Sequence, residues 1–523
     1  MNYTKRAALL CCTCYIVLAL LSFIPPQRVC GVELRRANVL SDIFTFSVDD
    51  IVEEVELVLD QAEYEVDFDQ VELEVHSLEE RDVEVGSSYS WHEAEEVTLE
   101  ELPDIKESSR ERFLPGVEVT PIEDYDTTEV SSLSRLYRKM LAGDSLVRIA
   151  VMGDSFVEAD IITADLREAL QTVFGGCGAG FAPMDSPLTR YRATINTESS
   201  GWSSYNVMQH RTTPEPYSSH FPISGWVSKP TADAQTTWSA TSARKHLDSC
   251  QCVRLHFMAF NNCDVEVSIN GGEGRIFNIE GGELLRQIEI RRQAISSVKM
   301  RVVRGAEGFI GYGALFEGDR GVSLDNYSVR SNNGQAMFWM APAINAQVDK
   351  ALGGYDLVVL QYGLNIMQSG VNKYTAYGEQ VEKMIRYARQ CFPHAAIMVM
   401  GVSDRSYKKN GVYQPMEEAL ALGSYQRAAA QAQGVCFWDT YSAMQAQGGM
   451  SEFVAQGWAS KDFTHINHGG GRQIAWAIVD AIMDGAERER KYVIQRVEHE
   501  PIVDSLERLR IERQIDEFNL IRE

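Results

Sequence analysis

From residue 131 onward, the spacing of apolar residues predicts strands and helices in alternation. The apolar run 146–152 is rich in β-branched residues and predicts a buried strand, with helical spacing before it at 131–142 and after it at 163–174. The same alternation returns at 321–485. Its strands are predicted at 355–360, 395–400 and 436–439, and its helices at about 376–389, 416–433 and 472–483. This order predicts an α/β fold, a three-layer α/β/α domain around a parallel sheet.

The segment 191–320 has a different pattern, in which short runs of alternating apolar and polar residues are separated by glycine-rich turns. These runs predict an antiparallel, jelly-roll-like β-sandwich. The sandwich is inserted between two parts of the α/β domain, 131–190 and 321–485. Three of its tryptophans either line a sugar-binding face or pack inside the sandwich: Trp202, Trp226 and Trp238.

The first residues combine two basic side chains with an uncharged apolar run at 7–24. This is the pattern of a secretory signal peptide or an uncleaved membrane anchor, which we assign to residues 1–31. The protein is therefore expected to be exported, to the periplasm or cell envelope, and to be held at the membrane if the segment is not cleaved.

Residues 32–130 carry most of the net charge. The part at 49–104 contains 22 acidic residues and one basic residue, and accounts for −21 of the total of −25. This charge density predicts an extended, largely disordered spacer, although its alternation of acidic and apolar residues also fits a partner-binding strand. It argues against binding of nucleic acid or anionic lipid through this segment. A second charged segment, 486–523, is predicted to form a helical tail.

The ten cysteines allow a disulfide in the middle segment. In an exported protein, Cys250 or Cys252 is able to pair with Cys263. A zinc site at these cysteines is the alternative, but the sequence lacks a second half with matching ligand spacing.

Ser155 stands at the turn from the predicted strand 146–152 to the helix that follows. Serine commonly caps helices, and capping is one reading of this position. A serine at such a turn also exposes its hydroxyl at the end of a sheet and directs its N–H into the same space. Ser155 is therefore a candidate for both a nucleophile and an oxyanion-hole donor.

Three further motifs follow predicted strands or lie in loops. Sites in parallel sheets form at the carboxyl ends of strands, so we expect these motifs to meet Ser155 at one edge of the sheet. His465 is the candidate base for Ser155, and Asp462 lies three residues earlier, where its carboxylate can fix the tautomer of the imidazole. The other oxyanion-hole candidates are the Gly334 N–H and the Asn365 side-chain amide, with Asn332 or Asn333 as alternatives to Gly334.

Each of these motifs also has an ordinary structural explanation. Asn-Asn-Gly and Gly-x-Asn are common turn sequences, and Asp-x-x-His often occurs in a surface loop or helix cap. A metal site that includes Asp462, His465 and His468 is a further alternative, although no other ligands can be assigned. The order and placement of all four motifs favour a hydrolytic site over separate turns.

The ordered set of Gly153-Asp154-Ser155, Gly363-x-Asn365 and Asp462-x-x-His465 resembles the SGNH branch of the GDSL hydrolases, over about 131–190 and 320–483. The chain is more similar still to the envelope carbohydrate-esterase members, which include peptidoglycan O-acetylesterases. It has their pattern after the nucleophile at Ala159-Asp160, Thr163, Leu166-Arg167, Leu170, Phe174-Gly175 and 178–181. Some of these relatives also carry an inserted β-sandwich resembling a carbohydrate-binding module.

The chain departs from the family pattern at three places. Phe156 follows the nucleophile where relatives often have histidine, and Leu364 stands where threonine is common. The second block has no Gly-x-x-Gly, which leaves the register at Gly334 open. The required functional groups are all present.

The resemblance implies a serine esterase that removes O-acetyl or other short acyl groups from a cell-envelope or extracellular polysaccharide such as peptidoglycan. Ser155, Asp462 and His465 form its catalytic triad, and Ser155, Gly334 and Asn365 form its oxyanion hole. No metal or organic cofactor and no nucleic acid partner is expected. Two alternatives remain: a polysaccharide O-acetyltransferase with the same triad, and a non-catalytic carbohydrate-binding protein.

Overall fold

The computed structural model describes residues 28–29, 32–33, 83–92, 111–409 and 412–499. The chain divides into two units, residues 1–72 and 73–523. In the first unit, strands β1 (Arg28–Val29) and β2 (Val32–Glu33) pair antiparallel. The predicted apolar leader at 7–24 lies outside the described residues. None of the helices in the described ranges is long and apolar enough to cross a membrane.

The second unit is a mixed α/β structure with two large sheets. Its strands are β3 (Ser88–His92), β4 (Glu123–Asp124), β5 (Leu146–Gly153), β6 (Gly180–Pro183), β7 (Ile195–Asn206), β8 (Trp226–Ala240), β9 (Cys250–Ala259), β10 (Cys263–Ile269), β11 (Arg275–Ile279), β12 (Gly282–Ile295), β13 (Ser297–Arg304), β14 (Phe309–Glu317), β15 (Gly321–Ser328), β16 (Leu357–Gln361), β17 (Ala396–Met400), β18 (Ser406–Lys409), β19 (Val412–Pro415) and β20 (Cys436–Trp438). Its helices are α1 (Ser132–Ala142), α2 (Thr163–Phe174), α3 (Pro342–Leu352), α4 (Thr375–Cys391), α5 (Glu417–Gln433), α6 (Thr440–Gln445), α7 (Gly449–Ala455) and α8 (His468–His499).

The first large sheet has the strand order β15-β5-β16-β17-β20-β4. All neighbours in it are parallel except β4, which runs antiparallel to β20 at the edge. The strand β5 is buried along its whole length, as its continuous apolar run predicts. In the register of the sheet, Gly153 pairs with both Ser328 and Gln361. The carboxyl ends of three strands therefore stop at one level, and the loops that follow them meet there.

The helices around this sheet begin and end mostly where sequence signals predict. The side chain of Ser131 caps α1 by accepting from the Ser134 N–H, and Gly143 ends the helix in the left-handed conformation. The last helix differs from the prediction: α8 begins at His468 and runs to His499, well beyond 472–483 and into the predicted tail. It passes Tyr137 at Gly485, where a Cβ would overlap the phenol ring.

The second large sheet is built mainly from the segment predicted as an insert. Its strand order is β11-β10-β13-β8-β14-β9-β12-β3, with β6 paired to β14 and β7 to β8. Pairing is antiparallel except between β12 and β3. The predicted antiparallel strands are thus present, but β3 and β6 join them from outside 191–320. Its core contains Trp238, which is fully buried, and Trp226 is buried as well, so packing explains both.

Two stretches of the predicted spacer, 83–92 and 111–130, belong to the folded unit. In β3, alternation places Tyr89 and Trp91 on one side, where both contact Phe277. In the second stretch, the N–H groups of Phe113 and Leu114 donate to Asp480 on α8 at 2.8 and 3.0 Å. The expectation of a largely disordered spacer therefore does not extend to these stretches, because each has apolar side chains to bury.

The cysteines expected to pair are free in this structure. Cys250 begins β9, whereas Cys263 lies beyond the far end of that strand. About ten residues at roughly 3.3 Å each separate them along the strand, too far for a disulfide. Cys252 lies near the same end of β9 and is also too far from Cys263. In addition, β9 and β10 are not neighbours in the sheet.

Candidate active site

Ser155 lies in a tight turn directly after β5 and is partly exposed. The N–H groups of Val157 and Glu158 close the turn by donating to the Asp154 carbonyl at 3.1 and 3.2 Å. A short 3₁₀ helix, Glu158–Asp160, follows before α2 begins at Thr163. The expectation that Ser155 caps the helix is therefore wrong, because seven residues, including the 3₁₀ turn, lie between it and the first residue of α2.

Asp154 is fully buried and connects the Ser155 turn to the loop after β16. Its carboxylate accepts from the Phe156 N–H at 2.9 Å and from the Asn365 side-chain amide at 3.0 Å. Burial raises the pKa of Asp154 to about 7, although the hydrogen bond from Phe156 and the charge of His465 act in the opposite direction. The raised pKa keeps a proton on this buried carboxyl group up to about neutral pH.

Asn365 also binds the loop after β15. Its amide nitrogen donates to the Asn332 carbonyl at 2.8 Å, so one side chain bridges two of the predicted blocks. The N–H of Gly334 donates to the Asn332 side chain at 2.7 Å. Two of the three predicted oxyanion-hole donors, Gly334 and Asn365, thus already donate hydrogen bonds to protein atoms in this structure. The Ser155 N–H has no hydrogen-bond partner among the described residues.

Both the backbone conformation and the close packing at position 334 require glycine. Its φ is +92°, a left-handed conformation that favours glycine, and a Cβ would overlap the thioether of Met384. The alternative residues of this block have other roles in the loop. The carbonyl of Asn333 accepts from Gln380 at 3.1 Å, and Asn332 supplies both the Gly334 and Asn365 contacts.

Asp462 and His465 form the predicted pair. The His465 Nδ1 and Asp462 Oδ2 atoms are 2.6 Å apart, and the N–H groups of Thr464 and His465 donate to the other carboxylate oxygen at 2.9 and 3.1 Å. Partial burial alone would raise the pKa of Asp462, but these hydrogen bonds hold it below its ordinary value. An ionised Asp462 keeps the proton of the imidazole on Nδ1 and the lone pair on Nε2.

The hairpin β18–β19 supports this exposed loop. The Ser406 N–H donates to the Phe463 carbonyl at 3.0 Å, and Arg405 donates to the Thr464 hydroxyl at 3.1 Å. The rings of Tyr413 and Phe463 stack with centroids 3.6 Å apart and an interplanar angle of 11°. Phe463 has a φ of +57°, an unfavourable conformation for a residue with a side chain, so the stack holds a strained backbone between Asp462 and His465.

Two buried charge clusters escaped prediction from the sequence. Asp160 accepts from Thr163 at 2.7 Å and Asn326 at 3.0 Å, and pairs with Arg167 at 3.2 Å and Arg192 at 2.8 Å. Burial opposes ionisation, but the two arginines hold the pKa of Asp160 well below its usual range. The pattern Ala-Asp…Leu-Arg marked Asp160 and Arg167, but it did not reveal that Asp160 also binds Arg192, just before β7.

The second cluster is a buried ion pair between Glu158 and Arg330, with Nε and Oε2 2.6 Å apart. It joins the nucleophile turn to the residue just before the Ser331–Gly334 loop. No sequence signal pointed to it, because 172 residues separate the two partners.

The metal-site alternatives do not form in the part of the chain that the structure describes. There, no group of three or more histidine, cysteine, aspartate or glutamate side chains is arranged to hold a metal ion. Asp462, His465 and His468 therefore do not constitute a metal centre, and neither do the cysteines of β9 and β10.

The sequence matches no protein-family model, and no curated protein matches it significantly. Two solved family two carbohydrate esterases, from Cellvibrio japonicus and Clostridium thermocellum, are 9% and 11% identical over 55% and 50% of this chain and 98% and 93% of theirs. Their TM-scores, 0.23 and 0.21, are too low to establish a shared fold. A solved peptidoglycan O-acetylesterase is 22% identical, with a TM-score of 0.57 over 70% of this chain and 99% of the other. The chain therefore shares the fold of that structure.

Proposed function

We propose that the protein is a serine esterase of the SGNH type that removes O-acetyl or other short acyl groups from a polysaccharide. The observation that carries the proposal is the bridge made by Asn365. Its amide binds the Asp154 carboxylate, next to Ser155 in the chain, and the Asn332 carbonyl in the loop that contains Gly334. The His465–Asp462 pair, with Nδ1 and Oδ2 2.6 Å apart, supplies the general base of the proposal. This bridge supports the proposal because it joins the Ser155 turn to the loops that carry two of the proposed oxyanion-hole donors.

In the proposed reaction, the Ser155 hydroxyl oxygen attacks the carbonyl carbon of the ester, and His465 Nε2 accepts the hydroxyl proton. Asp462 stays ionised and stabilises the imidazolium through Nδ1. The tetrahedral intermediate collapses when the sugar oxygen leaves with the proton from His465. Water, deprotonated by His465, then attacks the acyl-serine ester, which releases the carboxylic acid and restores the Ser155 hydroxyl.

The oxyanion of each intermediate needs hydrogen-bond donors, and in this structure Gly334 and Asn365 already donate to Asn332. The Ser155 N–H serves first. Gly334 and Asn365 complete the hole by exchanging their contacts with Asn332 for the oxyanion, since both use Asn332 as acceptor. Catalytic hydrogen bonds commonly reach their final geometry only with substrate bound.

The proposed substrate is an O-acetylated polysaccharide of the cell envelope or its surroundings, with peptidoglycan first among them. The solved structure with the same fold is named a peptidoglycan O-acetylesterase, which supports this choice. We also propose export through residues 1–31, with membrane tethering there if the segment is not cleaved. The proposed domains are a three-layer catalytic domain from 131–190 and 321–485 and a carbohydrate-binding-module-like sandwich at 191–320.

Hydrolysis of p-nitrophenyl acetate by the purified protein tests the proposed activity. We expect turnover that falls at least 100-fold in Ser155→Ala and His465→Ala. Equal activity in the wild type and both variants would refute the mechanism. Acetate release from O-acetylated peptidoglycan and from acetylated xylan then ranks the substrates, and transfer of acetyl to an added sugar at the expense of acetate would instead identify a transferase.

A further inference from the structure

His210 and Trp339 form an aromatic stack between the two large parts of the fold. Their ring centroids are 4.1 Å apart with an interplanar angle of 23°, and both side chains are partly exposed. His210 follows β7 in the segment predicted as an insert. Trp339 ends the 3₁₀ helix Gln335–Trp339, which begins directly after Gly334.

The stack lies close to the proposed acyl site. Five residues of 3₁₀ helix rise about 2 Å each, which places Trp339 about 10 Å from Gly334. Gly334 in turn belongs to the loop that Asn365 ties to Asp154, next to Ser155. A distance of this size corresponds to one or two sugar units along a polysaccharide chain.

One contact holds His210 in its own loop, and a separate contact joins the residues after Trp339 to the segment that follows that loop. The imidazole Nδ1 lies 3.2 Å from the Val207 carbonyl, and the Ala341 N–H donates to the Phe221 carbonyl at 2.8 Å. Burial lowers the pKa of His210, opposed by the hydrogen bond to Val207. This direction favours the neutral imidazole, the form that suits an apolar aromatic stack.

We propose that His210 and Trp339 form a subsite for a pyranose ring of the polysaccharide that carries the ester. The apolar C–H face of such a ring packs on aromatic side chains, while the sugar hydroxyls stay in water. This proposal rests on the proposed esterase function and adds the part of the substrate that is bound away from the ester. It also assigns sugar contact to residues other than the buried Trp226 and Trp238.

Kinetics on two substrates test the subsite. In Trp339→Ala, the KM for soluble O-acetylated polysaccharide is expected to rise about tenfold relative to the KM for p-nitrophenyl acetate. His210→Ala should shift the same ratio in the same direction, and Trp339→Phe should restore most of it. The matched control is Trp476→Ala on α8, a partly exposed tryptophan that packs against Phe113. It should leave the ratio unchanged.

An unchanged KM ratio in both Trp339→Ala and His210→Ala would overturn the subsite. Affinity electrophoresis on the same polysaccharide separates this outcome from failure of the esterase function. The Ser155→Ala protein should be retarded by the polysaccharide, and Ser155→Ala with Trp339→Ala should lose most of that retardation. Equal retardation of both would refute the subsite whether or not the protein hydrolyses esters.

Discussion

At the scale of single residues, Asp154 is an unusual group beside Ser155. A fully buried carboxylate holds Asn365 and the Phe156 N–H, and burial raises its pKa to about 7. The raised value means that the folded protein binds the proton more tightly than the unfolded chain does. The stability contributed by neutral Asp154 is therefore present at low pH and is lost as pH rises from about 4 through 7.

Asp154→Asn should remove this pH dependence. The variant is expected to gain stability relative to the wild type between pH 4.5 and 7.5, because it carries no proton to lose. Chemical denaturation at the two pH values measures the free energy of unfolding of both proteins. Other buried carboxyl groups are the same in both proteins, so their effects cancel in the comparison. A gap between the two proteins that stays constant with pH would contradict the raised pKa.

Asn365 is the second residue whose role can be isolated. Replacement with alanine removes both the bridge to Asp154 and a proposed oxyanion donor, and should lower kcat by about 100- to 1000-fold, as loss of one such donor does. Asn261→Ala is the matched control, since that amide donates to the Glu307 carbonyl on the insert. Similar kcat values for the two variants would exclude Asn365 from the oxyanion hole.

At the scale of elements, the strands that carry the site follow from their apolar periodicity, and the motifs at their ends follow from local turn chemistry. The role of the hairpin β18–β19 could not be predicted in this way, because it depends on a tertiary contact between Tyr413 and Phe463. The helix-cap interpretation of Ser155 failed for a similar reason. Local propensity favoured a cap, but the chain makes a 3₁₀ turn held by Asp154 and Asp160 before α2 starts.

Tyr413→Ala should release the Asp462–His465 loop. Aromatic pairs contribute about 0.5–1.5 kcal/mol, so a drop in kcat of up to about tenfold is expected, with little change in KM. Tyr413→Phe keeps the stack and should restore activity, while Tyr407→Ala on the same hairpin serves as control. Proton NMR offers a direct readout: the short His465 Nδ1–H···Asp462 bond gives a downfield resonance that Tyr413→Ala should broaden. Its persistence at full intensity would show that the stack does not position the pair.

At the scale of the whole molecule, the interruption of the α/β pattern by a β-rich segment could be predicted from the change in periodicity. The exact limits of the β-rich segment and of the last helix could not be predicted. Strand β3 joins from the acidic region, because Trp91 packs against Phe277, which is distant in sequence. The last helix, α8, extends to His499, beyond the predicted end. The buried Asp160–Arg192 pair at the start of the insert was also invisible, since it depends on residues brought together by folding.

Arg192→Ala tests how strongly that pair ties the insert to the nucleophile block. Removing one partner leaves Asp160 buried with less compensation, which typically costs about 3–5 kcal/mol. Arg304→Ala breaks an ion pair to Asp264 on the surface and should change the unfolding midpoint little. Equal midpoints for the two variants in thermal unfolding would contradict a structural role for the buried pair.

The central claim, that Ser155 is a nucleophile activated by His465, is tested most directly by mass spectrometry after reaction with a fluorophosphonate. We expect a single covalent adduct on the peptide containing Ser155, absent in Ser155→Ala and formed at least about 100-fold more slowly in His465→Ala. An adduct on a different residue, or equal labelling rates in the wild type and His465→Ala, would contradict the account.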